Sequence, residues 1–265
     1  MIQVMSTPKT QTLKLTLAYN GARFKGWQKG NGRTVQSTLI EIIGKALPEA
    51  SHGEVPADYE LRLDGAGRTD AGVHAEGQVA SAVVPASVNA QLLFEKVNRH
   101  LPADLALVSL EAAEQRFHAR YRALAKTYRY TVVDGPVGDP FLHGRAWRYA
   151  ELLDLDRMRA AAEVFLGQQD FSAFTSDRPK PNKERRIFSI DISRTRTAVV
   201  SPVEILVRGD GFLWRQVRIM AATIVAAGAQ ELSPPDIQQM LASRTRSQAP
   251  APAPSCGLTL VSVEY

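Results

Sequence analysis

Alternating leucines at 13, 15 and 17 carry the period of a β-strand, which the turn signal Tyr19-Asn20-Gly21 closes. A polar, glycine-rich loop follows. Thr34 then stands where an N-cap belongs, ahead of an apolar helical face made by Val35, Leu39, Ile42, Ile43 and Ala46. Strands are predicted over 59–63 and 77–84, joined by an unusual loop at 64–76. Ser87 is placed to cap a helix carrying Leu92, Leu93 and Val97, which stops by Pro102. Residues 105–110 form a further strand. The first half thus runs strand, helix, strand, strand, helix, strand.

The second half repeats that order. Strands are predicted over 127–133, 187–192, 203–207 and 258–263. One helix spans 155–166 and ends at Gly167 as a left-handed cap, and an apolar helix spans 212–227 with Gly228 behind it. Ser233-Pro234 starts a short additional helix. No residue-level repeat accompanies this repetition of element order. The order is that of the ferredoxin-like split βαβ unit used twice. It predicts an α+β protein of two fused half-domains, 1–113 and 114–265. Their sheets, joined edge to edge, would form one continuous antiparallel sheet with a central cleft where the halves meet.

Composition narrows the class. The 265 residues exceed the usual size of one domain, and the 45% hydrophobic content suits a buried core. No stretch approaches the roughly 20 apolar residues of a membrane span, and residues 1–11 are polar, without the apolar centre of a secretory signal. Cys256 is the only cysteine, which excludes an intrachain disulfide and a thiolate metal cluster. A cytoplasmic protein is expected.

Charge adds a direction. The formal net charge is +5, and residues 1–113 balance 11 basic against 11 acidic residues, so the excess lies in the second half. From 115 to 133 there is no acid, while Arg116, Arg120, Arg122, Lys126 and Arg129 interleave with Phe117, Tyr121, Tyr128 and Tyr130. A second basic run, 178–186, is broken by Pro179 and Pro181 and reads as an exposed loop, which sets Arg185 against phosphate or solvent. Such stretches suit a nucleic-acid backbone beside stacked bases, and they equally suit a solvated basic surface.

The chemistry concentrates in Asp64-Gly65-Ala66-Gly67-Arg68-Thr69-Asp70-Ala71-Gly72-Val73-His74-Ala75. A dinucleotide-binding loop is excluded, because Asp70 stands where a third small residue is needed and would repel pyrophosphate. Asp70 and His74 share a helical spacing suited to a metal, but Gly72 lies between them and no further ligand is near. The five histidines are scattered, so His74 is read as a packed or hydrogen-bonded residue. An acidic nucleophile on a glycine-flanked loop, its ionised form favoured by Arg68, remains. So does a structural Asp–Arg pair fixing a tight loop, and spacing alone favours that pair.

The loop resembles the GRTDxGVHA signature of the TruA family of pseudouridine synthases. Phe24, Gly26, Trp27 and Gln28 resemble its F-x-GWQ segment, and Arg33-Thr34-Val35-Gln36 its RTVQ helix start. Asn98, Leu101-Pro102 and Asp104 resemble its N-x-x-LP-x-D turn. Phe117-His118-Ala119-Arg120 and Tyr128-Arg129-Tyr130 match its FHAR and YRY segments. Asp170-Phe171-Ser172-Ala173-Phe174 and Phe212-Leu213 with Val217-Arg218 follow in family order, and Gly257-Leu258 begins a strand similar to its last one. Ala222 departs from a usual glycine, the connection after His52 is long, and 249–254 is unusually proline-rich.

The resemblance implies isomerisation of uridine to pseudouridine at positions 38, 39 and 40 of the tRNA anticodon stem-loop, without metal or organic cofactor, by a homodimer. It makes Asp70 the catalytic carboxylate. It packs Tyr128 against the target base, pairs Arg218 with Asp70, and gives Arg68 to the flipped nucleotide or RNA backbone. Arg218 lies on an apolar helix, so its guanidinium is expected to be largely buried. A non-catalytic RNA-binding protein of the same fold would not need Asp70, Arg68 and Arg218 together.

Overall fold

The computed structural model describes residues 10–56, 58–176 and 182–265. Residues 1–9 and the start of the second basic run, 178–181, lie outside them. In chain order the first part holds β1 (Thr10–Tyr19), α1 (Val35–Ala50), β2 (Leu63–Gly65), β3 (His74–Pro85), α2 (Ala90–His100) and β4 (Leu105–Ala113). Antiparallel pairing places β4 and β3 on opposite edges of β1. The same three residues of β3, 80–82, face β1 on one edge and β2 on the other. The strand order is therefore β4-β1-β3-β2.

The alternation of β1 works as its leucines predict. Leu13, Leu15 and Leu17 are buried, and Ile43 of α1 with Leu93 and Val97 of α2 close over Leu13, Leu15 and Leu107. Each such side chain contributes about 1.5–3 kcal/mol on leaving water. Thr34 caps α1 by accepting from the Ser37 N–H at 3.2 Å.

The second part holds β5 (Ala125–Val133), β6 (Trp147–Arg148), α3 (Leu155–Glu163), β7 (Gly167–Asp170), β8 (Glu184–Arg194), β9 (Val203–Gly209), α4 (Gln216–Gly228), α5 (Pro234–Ser243) and β10 (Leu258–Glu264). Its sheet runs β10-β5-β9-β8-β7, all antiparallel, with the short β6 parallel to the end of β5. Without β6, β7 and α5, the elements are β5-α3-β8-β9-α4-β10 in the order β10-β5-β9-β8. That matches β4-β1-β3-β2 strand for strand. The chain separates into compact units Met1–Ala123 and Leu124–Tyr265. Residues 114–123 pack with the first unit, where Ala119 N–H donates to Ser81 Oγ and Thr12 Oγ1 donates to the Gln115 carbonyl.

Several boundaries differ from expectation, each for a local reason. Residues 59–62 are not a strand: Tyr59 turns on the Pro56 carbonyl and its hydroxyl donates to the Val83 carbonyl, so only Leu63–Gly65 pairs. Asn89, not Ser87, caps α2, through its side-chain oxygen on the Leu92 N–H. α3 stops at Glu163, and Gly167, at φ +84°, opens β7 instead of closing the helix. α4 begins at Gln216, since Arg215 is left-handed at φ +63° and the Gln216 side chain accepts from the Leu213 N–H. Arg185 is in β8, opposite Gln169, and not in a loop.

Candidate active site

The loop between β2 and β3 is tied down on both sides of Asp70. Ala66 N–H donates to the Val79 carbonyl at 2.7 Å, and the Thr69 carbonyl accepts from Trp27 N–H at 3.0 Å. Beyond Asp70, a turn closes from Val73 N–H to the Asp70 carbonyl at 3.2 Å, with Gly72 at φ +81° in its third position, where a type II turn requires positive φ. Gly21 N–H donates to His74 Nδ1 at 3.1 Å, so the buried imidazole serves as an acceptor within the scaffold.

A hydrogen-bonded chain supports the loop from β1 and β3. Gln78 Nε2 donates to the Gly67 carbonyl at 2.9 Å and to Tyr19 Oη at 3.4 Å, and Tyr19 Oη lies 2.8 Å from Thr69 Oγ1. Burial pushes the Tyr19 phenol up to about 12, against its bonds to Thr69 and Gln78, so it stays neutral. Both residues flanking Arg68 are thus held, while Arg68 itself is exposed and Asp70 half-buried.

The other first-half motifs surround this loop. A Cβ on Gly26, at φ +91°, would lie 2.7 Å from the Thr69 carbonyl, and one on Gly65 would lie 2.5 Å from the Trp27 ring. Gln36 Nε2 donates to the Leu63 carbonyl while its Oε1 accepts from Gln28 and from the Lys29 N–H. Arg33 grips Asp104 through both terminal nitrogens, at 2.8 and 2.5 Å. The arginine bonds hold the Asp104 carboxyl below the usual carboxylate range. These residues build the frame on which the loop sits.

In the second unit, Tyr128 on β5 is buried, its ring edge-on to Phe212 at 5.3 Å. Tyr130 and Val132 follow on the same face, since β5 and β9 pair without a bulge. Arg218 lies in α4 and is half-buried, less than its apolar neighbours predict. Its Nε donates to the Ala253 carbonyl at 2.7 Å.

The acid-free stretch 115–133 is not one surface. Arg116, Arg120 and Arg122 are exposed, with Tyr121 78% exposed and its ring tilted against His118 at 4.3 Å, whereas Tyr128 and Tyr130 are buried in β5. Interleaving in sequence thus mixes the exposed Tyr121 and the half-buried Phe117 with two packed rings. No three His, Cys, Asp or Glu side chains gather among the described residues as a metal set would require. Sequence reasoning missed Tyr19, Gln78 and Ala253. Gln78 alone carried a signal, as a glutamine just ahead of the apolar pair Val79-Ala80 of β3, and its Oε1 is buried without a hydrogen-bond partner among the described residues.

A family model described as tRNA pseudouridine synthase matches residues 161–265. Relatives named tRNA pseudouridine synthase A cover almost the whole chain. That of Methylacidiphilum infernorum is 38% identical over 253 residues, 95% of this chain and 94% of its own length. That of Pelobacter propionicus is 38% identical over 257 residues, 96% and 100% of the two chains. That of Acetivibrio thermocellus is 36% identical over 256 residues, with the same coverage. With so much of both chains aligned at this identity, the protein belongs to the tRNA pseudouridine synthase A (TruA) family.

Proposed function

We propose that this chain isomerises uridine to pseudouridine at positions 38, 39 and 40 of the tRNA anticodon stem-loop, with Asp70 as the carboxylate that starts the reaction. The observation that carries this reading is the setting of Asp70, a half-buried acid on a loop whose backbone is fixed before and after it. A group held so firmly keeps its attack geometry without reordering at each turnover. The bond between C1′ and uracil N1 breaks, the freed base turns, and C5 bonds to C1′. C5 gives up a proton and N1 gains one. Substrate and product are isomers, so no electrons enter or leave and no organic cofactor or metal is needed.

The target base must leave the helix stack to be reached. Tyr128 packs against it, Arg218 pairs with the Asp70 carboxylate, and exposed Arg68 takes the flipped nucleotide or RNA backbone. The shared strand order of the two units supports reading them as fused ferredoxin-like halves of one antiparallel sheet with a central cleft. On that reading the first half carries the catalytic loop and the basic second half binds RNA. Shape and phosphate contacts select the stem-loop. The working form is a cytoplasmic homodimer; among the described residues no helix is long and apolar enough to cross a membrane.

The test is a pseudouridine map of tRNA from cells lacking the protein. Loss confined to positions 38–40, restored by the intact gene, is expected. An unchanged anticodon arm would remove the assignment.

A further inference from the structure

The proline-rich segment 249–254 follows α5 and joins no strand or helix, yet it is fixed at both ends and in the middle. At its start, Arg246 Nη1 donates to the Ala249 carbonyl at 2.7 Å and Nη2 to the Pro250 carbonyl at 2.8 Å. At its end, the hydroxyl of Tyr130, whose ring is fully buried, donates to the Pro254 carbonyl at 2.7 Å. Gly257 holds that approach close, since a Cβ there would lie 2.6 Å from the Tyr130 ring. Between these anchors buried Ala253 meets Arg218 twice: its N–H donates to the Arg218 carbonyl at 3.1 Å, and its carbonyl accepts from Arg218 Nε at 2.7 Å.

We infer that segment 249–254 is a strap that orients the Arg218 guanidinium, with Tyr130 and Arg246 as positioning residues acting through it. A planar guanidinium held at Nε has its rotation fixed, and with it the directions in which Nη1 and Nη2 point. The backbone bond at the same residue prevents strap and helix from sliding past each other. Prolines at 250, 252 and 254 restrict φ and reduce the conformations that the strap loses on ordering. A flexible side chain on α4 thereby becomes a rigid one. The inference rests on the reading of Arg218 as the partner of the catalytic carboxylate.

The test is a double-mutant cycle on the full-length protein, reading single-turnover pseudouridine formation at saturating tRNA together with tRNA affinity. Tyr130→Phe removes one hydrogen bond to the strap and keeps the ring. Pro252→Gly loosens the strap without changing the core, and serves if the first variant folds poorly. Each is expected to slow the step by roughly threefold to tenfold, the scale of one hydrogen bond, with tRNA affinity unchanged. In an Arg218→Lys background, which keeps the charge but has no Nε–H to bond Ala253, the further loss is expected to shrink below about twofold. Equal losses in both backgrounds, or none in either, would overturn the strap. Arg218→Lys at full rate would instead remove the role given to Arg218. A wild-type protein that forms no pseudouridine would remove the proposed function itself.

Discussion

Loop 66–73 and hairpin 195–202 occupy the same topological place, the first joining β2 to β3 and the second joining their counterparts β8 and β9. The hairpin is tied mainly to itself and its neighbours: Thr195 N–H to the Pro202 carbonyl, Thr197 N–H to the Val200 carbonyl, Arg194 Nη1 to the Ser201 carbonyl. The loop is tied to the β1–α1 connection, to β3 and to its own turn, largely through backbone groups. One closes a hairpin; the other holds a carboxylate in place. The strand order is common to both, so chemistry resides in what is built on it.

The largest expected difference is catalytic. Asp70→Asn keeps shape and loses the nucleophile, so single-turnover pseudouridine formation should fall on the order of a thousandfold or more, with tRNA affinity within a few-fold. Thr197→Ala, at the equivalent place in the second unit, should leave the rate within about twofold. Appreciable turnover by the asparagine variant would sink the catalytic assignment.

Next comes packing. A Cβ on Gly21 would lie 1.9 Å from the Val73 carbonyl, backbone against backbone with nothing flexible to yield. Gly21→Ala should cost about 2–4 kcal/mol of stability. Gly144→Ala, at φ +70° in open space, should cost about 1 kcal/mol. Denaturant midpoints compare the two, and equal shifts would mean that the loop yields where its geometry says it cannot.

The smallest effect is a pH signature. Burial works to raise the Asp134 carboxyl, but bonds from Arg194 and the Leu153 N–H outweigh it and hold the acid below its ordinary value. A depressed folded-state value means that this stability is present above about pH 4 and is lost as pH falls through the folded value. Asp134→Asn should therefore cost about 1–3 kcal/mol at pH 7, and the gap to wild type should close in acid. The backbone ties of loop 66–73 carry no titrating group, unlike the Asp134 pair.

Much of this molecule is legible in its residues. Period-two leucines mark β1, and Thr34 before Val35 marks α1, because local sterics and one buried face decide both. Asp70 is legible only by resemblance, since spacing admitted a structural role too. What stayed hidden depends on distant partners. β7 is Gly-Gln-Gln-Asp, with no period to read, and exists because β8 pairs with it. The apolar run from Phe212 reads as helix, yet Arg215 turns left-handed and delays α4 until Gln216. Ala253 reads as filler between prolines, and only its carbonyl, which sequence never displays, reaches Arg218.

Trp27 gives the loop an optical handle. Its indole is buried against Gly65 and its amide is bonded to Thr69, while Trp214 is exposed and Trp147 half-buried. With the other two indoles replaced by phenylalanine, the remaining emission comes from one dry ring beneath the loop. Its wavelength then reports whether residues 66–73 stay closed while RNA arrives and leaves.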